Sequence, residues 1–215
     1  MDTKENNVSS INKPKDLYKS NDRNPFNPGY FESKELRKFG FKNVGDNVKI
    51  AKNATIIGLS NVSLGSNIRI DGNVVIAAHS GLLTLGNYIH IGGGCYLGCA
   101  GGVRFSDFSS LSQGTNLYSG TDDYTGEALT GPTIPQKYLK VKLAPVVLGR
   151  HVIVGSGSVI LPGVTIGDGS SVGALSLVTK SLDEWGIYAG APAKRLRARS
   201  KDILKLEEAL MLDVG

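Results

Sequence analysis

Histidine is the side chain whose ordinary pKa lies near neutrality, and this 215-residue chain has three of them, His79, His90 and His151. An imidazole can take the proton of a hydroxyl as that oxygen attacks a carbonyl, provided an acidic neighbour holds the ring in the productive tautomer. Asp122 and Asp123, followed by Tyr124 and Glu127, are the carboxylates that a long irregular segment could bring to such a ring. Three histidines could alternatively ligate zinc. Their separations of 11 and 61 residues, however, contain no close pair of the kind that puts two ligands side by side. Cys95 and Cys99 have no second pair to complete a zinc site, and they read as buried or neutral thiols of a reducing compartment.

What positions these groups is a six-residue period. Leu148/Val152, Val154/Ser158, Ile160/Val164, Ile166/Ser170 and Val172/Ser176 repeat an aliphatic residue followed four positions later by a small or branched one. The same register appears earlier as Val44/Val48, Ile50/Ala54, Leu64/Ile68, Ile70/Val74, Leu85/Ile89 and Ile91/Cys95. Six is neither the 3.6 of a helix nor the 2 of an open strand, and fixed-period repetition takes precedence over local propensity. Each hexad is read as one short strand and one turn of a parallel β-helix, three hexads to a triangular coil, with Gly, Asn and Asp at the corners where positive φ is tolerated. His90 ends a hexad and should point outward, His79 lies in the irregular stretch 77–84, and His151 occupies a corner.

The repeat domain spans 44–180. Before it, residues 1–43 comprise a polar tail over 1–24 and a capping helix with Ser33 as N-cap and Gly40 as stop. Hexads vanish between 118 and 147, where Pro132, Pro135 and Pro145 accompany the acidic cluster, and an inserted loop of that length points to function. Residues 181–215 form a tail ending in a helix over 201–212. The net charge of +5 is modest, and Lys and Arg are not interleaved with aromatics, which argues against nucleic-acid binding. No apolar run approaches the roughly 20 residues of a membrane span, and the polar N-terminus has no signal-peptide core, so a cytoplasmic location is expected.

Three segments carry a resemblance. Leu117-Tyr118-Ser119-Gly120-Thr121-Asp122-Asp123-Tyr124, Pro162-Gly163-Val164-Thr165-Ile166-Gly167 and Trp185-Gly186-Ile187-Tyr188-Ala189-Gly190-Ala191-Pro192-Ala193-Lys194, together with the hexads, resemble the hexapeptide-repeat acyltransferases, and among them the bacterial sugar and polysaccharide O-acetyltransferases. The resemblance implies an all-β fold, a left-handed parallel β-helix with a short N-terminal helix, the inserted loop and a C-terminal helix. It also implies a homotrimer with active sites between neighbouring prisms, acetyl-CoA as co-substrate and no metal. In that pattern the pantetheine arm lies along Ser156, Gly173 and Ala174, with Thr179 beyond, and the phosphates meet Lys194 and Arg197.

The expected reaction is acetyl transfer from acetyl-CoA to a sugar hydroxyl, in glycan biosynthesis. Many members carry the catalytic histidine in the region that here reads Tyr118 to Asp123, where this chain has none. His90 is therefore expected to be the base, oriented by Asp122 or Asp123, which the long loop delivers either within a subunit or across an interface, with Tyr118, Tyr124 and Glu127 lining the acceptor side. A rival is N-acetylation of a nucleotide-linked amino sugar, since a neutral amine is nucleophilic without a strong base. A rival of another class is a zinc hydratase of the γ-carbonic anhydrase type, which shares the prism.

Overall fold

A computed structural model describes residues 26–214 of the chain; the polar tail expected over 1–24 lies outside them. The chain winds through a left-handed parallel β-helix of about seven turns. Three sheets form the faces of the prism. Face A carries the parallel strands Val48–Ala51, Ile68–Ile70, Ile89–Ile91, Ser110–Leu111, Ile153–Val154, Ser171–Val172 and Gly186–Ala189. Face C carries Thr55–Ile57, Val75–Ala77, Tyr96–Gly98, Asn116–Tyr118, Val159–Ile160 and Leu177–Val178. Face B carries Asn43–Val44, Val62–Leu64, Leu83–Leu85, Val103–Phe105, Val146–Leu148 and Thr165–Ile166. Successive strands visit B, A and C in turn.

The hexad register is the core. Leu148, Val152, Val154, Ser158, Ile160, Val164, Ile166, Ser170, Val172 and Ser176 are all buried. Each fully buried aliphatic side chain contributes roughly 1.5–3 kcal/mol. The inward serines are satisfied by backbone: Ser158 and Ser176 both donate to the Gly173 carbonyl, at 3.0 and 2.7 Å. Cys95 and Cys99 belong to the same core, and burial pushes the Cys99 thiol up to about 12.

Two expectations need correction. Three hexads per coil holds for the C-terminal coils, where Ile153 pairs with Ser171, but the N-terminal coils are longer, as Lys49 pairs with Arg69 and Arg69 with His90. The extra residues loop out at the corners, as they do between strands Val75–Ala77 and Leu83–Leu85. The N-terminal helix is only Ser33–Leu36, capped by Glu32, whose N–H donates to the Glu35 carboxylate at 3.2 Å. Ser33 instead turns its hydroxyl to accept the Val48 N–H at 2.8 Å, which docks the helix on the first coil while Leu36 joins the core.

Corners hold more than Gly and Asn. Between faces B and A, the residues other than glycine at left-handed φ are Asn47, Asn67, Tyr88, Phe108, His151 and Trp185. That conformation costs a bulky L-residue roughly 1–2 kcal/mol. Stacking offsets it: Tyr88 lies on Phe108 at 4.6 Å and 5°, and Phe108 on His151 at 5.0 Å and 15°, each pair worth about 0.5–1.5 kcal/mol. His151 ends the ladder against Glu207 of the C-terminal helix Ile203–Val214, at 2.6 Å, where Arg150 pairs with the same carboxylate.

Both edges of face A are closed by antiparallel strands, Tyr30–Glu32 against the first coil and Lys194–Ala198 against the last. The inserted segment leaves face C after Tyr118 and returns to face B at Val146. It is not structureless: Gly120–Thr121 pairs with Lys142–Leu143, and Leu129 bridges Leu139.

Candidate active site

Pairing in register sets one row of residues across face A, namely Glu32, Lys49, Arg69, His90, Ser110, Ile153, Ser171, Ile187 and Arg197. Ile89 and Ile91 are buried, so the alternation of the strand turns His90 outward. Its Nε2 lies 2.8 Å from Oδ2 of Asp71, the residue that follows strand Ile68–Ile70. The other carboxylate oxygen of Asp71 accepts from Arg69 Nε at 2.6 Å and from the Tyr30 hydroxyl at 3.1 Å, and Arg69 also donates to the Tyr30 oxygen at 3.0 Å.

Burial acts to raise the pKa of Asp71, but hydrogen bonds from His90, Arg69 and Tyr30 and the guanidinium charge outweigh it and hold the carboxyl below its ordinary value. Burial and the Asp71 charge push the Tyr30 hydroxyl up, so it remains a donor. An ionised Asp71 fixes the neutral imidazole with its proton on Nε2 and its lone pair on Nδ1. Nδ1 has no protein partner among the described residues. An imidazole oriented in this way by a carboxylate has the geometry that general-base chemistry requires. Beside it opens a cavity of about 710 Å³, whose walls include Tyr30, Lys49, Asn67, Arg69, Tyr88 and His90.

The carboxylate beside His90 is therefore Asp71, and within one chain Asp122 and Asp123 do not take that part. Their loop is rooted at the corner between faces C and B, across the prism from face A. Asp123 accepts from Thr125 N and Oγ1, at 3.1 and 2.7 Å, and from Glu127 N and Ala128 N, at 2.7 and 3.0 Å. These bonds, the Thr125 hydroxyl foremost, hold its carboxyl at about 2 and make it the organiser of its own loop. Asp122 accepts from Gly131 N at 3.2 Å and shares a cleft of about 220 Å³ with His79, Tyr96 and Tyr118. Tyr118 packs on Tyr96 at 5.3 Å, Tyr124 is 92% exposed, and Glu127 pairs with Lys140.

Of the remaining expected residues, Ser156, Gly173 and Ala174 gather at the corner between faces A and C, while Thr179 lies beyond face C. Ser156 donates to Gln113 at 3.4 Å, and a Cβ on Gly173 would come within 3.0 Å of the Ala189 Cβ, so close coil packing explains that glycine. Lys194 and Arg197 are exposed on the last antiparallel strand. Arg197 stands five strands from His90, about 24 Å at roughly 4.8 Å per step. Sequence reasoning missed Asp71, Arg69 and Tyr30. Only the coil length could have found them, because Arg69 stands one 21-residue coil before His90.

The three histidines do not converge within one chain: His79 and His90 belong to different faces, and His151 is tied to Glu207. Among the described residues no group of three or more His, Cys, Asp or Glu side chains is placed to hold a metal. None of the described helices is long and apolar enough to cross a membrane.

Comparisons with known proteins agree with this fold. Residues 145–180 match the bacterial transferase hexapeptide (six repeats) model. Over 178 residues, 83% of this chain and 93% of the relative, the sequence is 37% identical to a dTDP-4-amino-4,6-dideoxy-D-glucose acyltransferase of Escherichia coli. It is 34% identical over 116 residues to the galactoside O-acetyltransferase of E. coli K12, covering 44% of this chain and 57% of that one. The crystal structure of AntD, an N-acyltransferase from Bacillus cereus in complex with dTDP and 3-hydroxybutyryl-CoA, superposes with a TM-score of 0.82 at 41% identity, covering 86% of this chain and 98% of that chain. Hexad core, coil topology and near full-length similarity lead to one conclusion: the chain belongs to the hexapeptide-repeat acyltransferase superfamily.

Proposed function

We propose that the protein transfers an acyl group from acyl-coenzyme A to the amino group of a nucleotide-linked amino sugar. The observation that carries this reading over O-acetylation is the similarity, across 83% of the chain, to an acyltransferase of a dTDP-linked 4-amino sugar. The galactoside O-acetyltransferase is matched over less than half the chain. The lack of a histidine between Tyr118 and Asp123 fits too, since amine acceptors make lighter demands on a base.

His90 is the proposed base. A sugar ammonium gives a proton to Nδ1 while Nε2–H stays on Asp71; the freed amine attacks the thioester carbonyl, forming the C–N bond. A backbone amide stabilises the oxyanion, a contribution of about 3 kcal/mol. As the C–S bond breaks, the adduct nitrogen gives its second proton to the departing coenzyme A thiolate, and His90 releases the first proton to solvent. Asp71 is a positioning residue, itself held by Arg69 and Tyr30.

Coenzyme A is placed along the A/C corner by Ser156, Gly173 and Ala174, with Thr179 beyond and with Lys194 and Arg197 as cations for its phosphates. Acetyl is the simplest acyl group. A homotrimer would bring the Asp122 cleft of one chain, with Tyr118, Tyr124 and Glu127 nearby, against face A of the next. The test is coenzyme A release with dTDP-4-amino-4,6-dideoxyglucose against hydroxyl-only sugars. Exclusive turnover of hydroxyl acceptors would return the protein to O-acetylation.

A further inference from the structure

We propose that the cavity on face A, on the N-terminal side of His90, seats the nucleoside diphosphate of the acceptor, with Lys49 as its phosphate ligand and the Asn47–Asn67 corner as its base-reading edge. This rests on the reading that the acceptor is nucleotide-linked. Its volume of about 710 Å³ is in the range of ligand sites. The row Lys49, Arg69, His90 runs up its floor one strand at a time. Lys49 lies two steps from His90, about 10 Å at the spacing of paired strands. A sugar bridging the two would put its amine at the imidazole and its glycosidic phosphate at the ammonium.

Lys49 is available for an anion. Its protein partner is Glu32 at 3.7 Å, an exposed pair of the kind worth little. Arg69 is engaged with Asp71 and Tyr30 and adds its charge to the floor. The two rim carboxylates are accounted for, since Glu35 accepts the Glu32 N–H and Glu32 faces Lys49.

The corner supplies the other half. Asn47 Nδ2 donates to Asn67 Oδ1 at 2.7 Å, which leaves an acceptor on Asn47 and a donor on Asn67, both lining the cavity. One acceptor and one donor complement the imide edge of thymine or uracil, whichever way round the two amides are assigned. Tyr88, the next residue up the same corner, is held flat by Phe108 and forms a rigid wall.

The experiment is calorimetric titration of the full-length protein with dTDP alone, with inorganic pyrophosphate and with coenzyme A. Wild type should bind dTDP more tightly than pyrophosphate. Lys49→Met should weaken dTDP roughly tenfold, the worth of one charge-assisted hydrogen bond. Asn67→Ala should weaken dTDP but not pyrophosphate. Both variants should bind coenzyme A as wild type does, and Arg104→Met, on face B, should leave dTDP affinity unchanged. Wild-type dTDP affinity in both variants, or no dTDP binding at millimolar concentration, overturns the assignment. Acylation of the amino sugar alongside such a result leaves the proposed reaction standing; dTDP binding that depends on Lys49, without acylation, refutes the reaction and keeps the cavity.

Discussion

Replacing Asp71 with Asn tests the proton pathway at its least redundant point. The carboxylate receives hydrogen bonds from His90, Arg69 and Tyr30, all three from donors. Asn is nearly isosteric but has one acceptor oxygen. If that oxygen stays with Arg69 and Tyr30, the amide NH2 faces His90 Nε2, and the ring must answer with its lone pair. The imidazole proton then moves to Nδ1, the atom that has to accept the substrate proton. Loss of a positioned base typically removes a factor of about 10² to 10⁴, equivalent to roughly 2.7–5.5 kcal/mol on the barrier. The assay is coenzyme A release under saturating acyl-CoA and acceptor, across pH. Asp71→Asn should lower kcat by at least about 100-fold near neutrality with little change in the KM for acyl-CoA. The defect should shrink as pH rises and the acceptor amine loses its proton to solvent. A kcat within about threefold of wild type at neutral pH would refute the reasoning, as would a defect that is constant with pH.

Other consequences follow from the same geometry. Asp123→Ala should leave the prism intact and raise hydrogen exchange at Thr125, Glu127 and Ala128, whose N–H groups it anchors. Because folding depresses the Asp123 pKa to about 2, its anchoring is complete above the unfolded value near 3.9 and is lost only as pH falls through about 2, so wild-type protection there should persist to pH 3. Cys99, buried and raised to about 12, should resist alkylation at pH 8 until the protein unfolds; rapid labelling of the native form would contradict its placement. Leu111→Ala, in the centre of the core and fully buried, should cost about 2–5 kcal/mol in denaturant unfolding.

Face and core were legible because two positions in each hexad, one aliphatic and one small or branched, must point inward, and that demand repeats without interruption from Leu148 to Val178. The same periodicity turned His90 outward correctly. Its acid partner was not legible for a geometric reason. Asp71 looks like any polar turn residue, and it meets His90 only because the coil between them has 21 residues and not 18. The acidic loop reads differently at its two aspartates: within one chain Asp123 directs its acceptors to its own loop, while Asp122 lines a cleft with His79, Tyr96 and Tyr118. Tyr88, Phe108 and His151 broke the corner rule because stacking between coils stands in for the conformational freedom of glycine, and a single coil read by itself contains no trace of it. The choice between amine and hydroxyl is a property of the acceptor, to which the hexads are indifferent.

Coenzyme A release from acyl-CoA, with dTDP-4-amino-4,6-dideoxyglucose set against the same nucleotide sugar carrying a hydroxyl at that carbon, bears most directly on the proposed reaction. Turnover of the amino sugar, with the hydroxyl analogue inert and His90→Ala slowed by at least about 100-fold, is the predicted result. Turnover of the hydroxyl analogue alone, or full activity in His90→Ala, would contradict it.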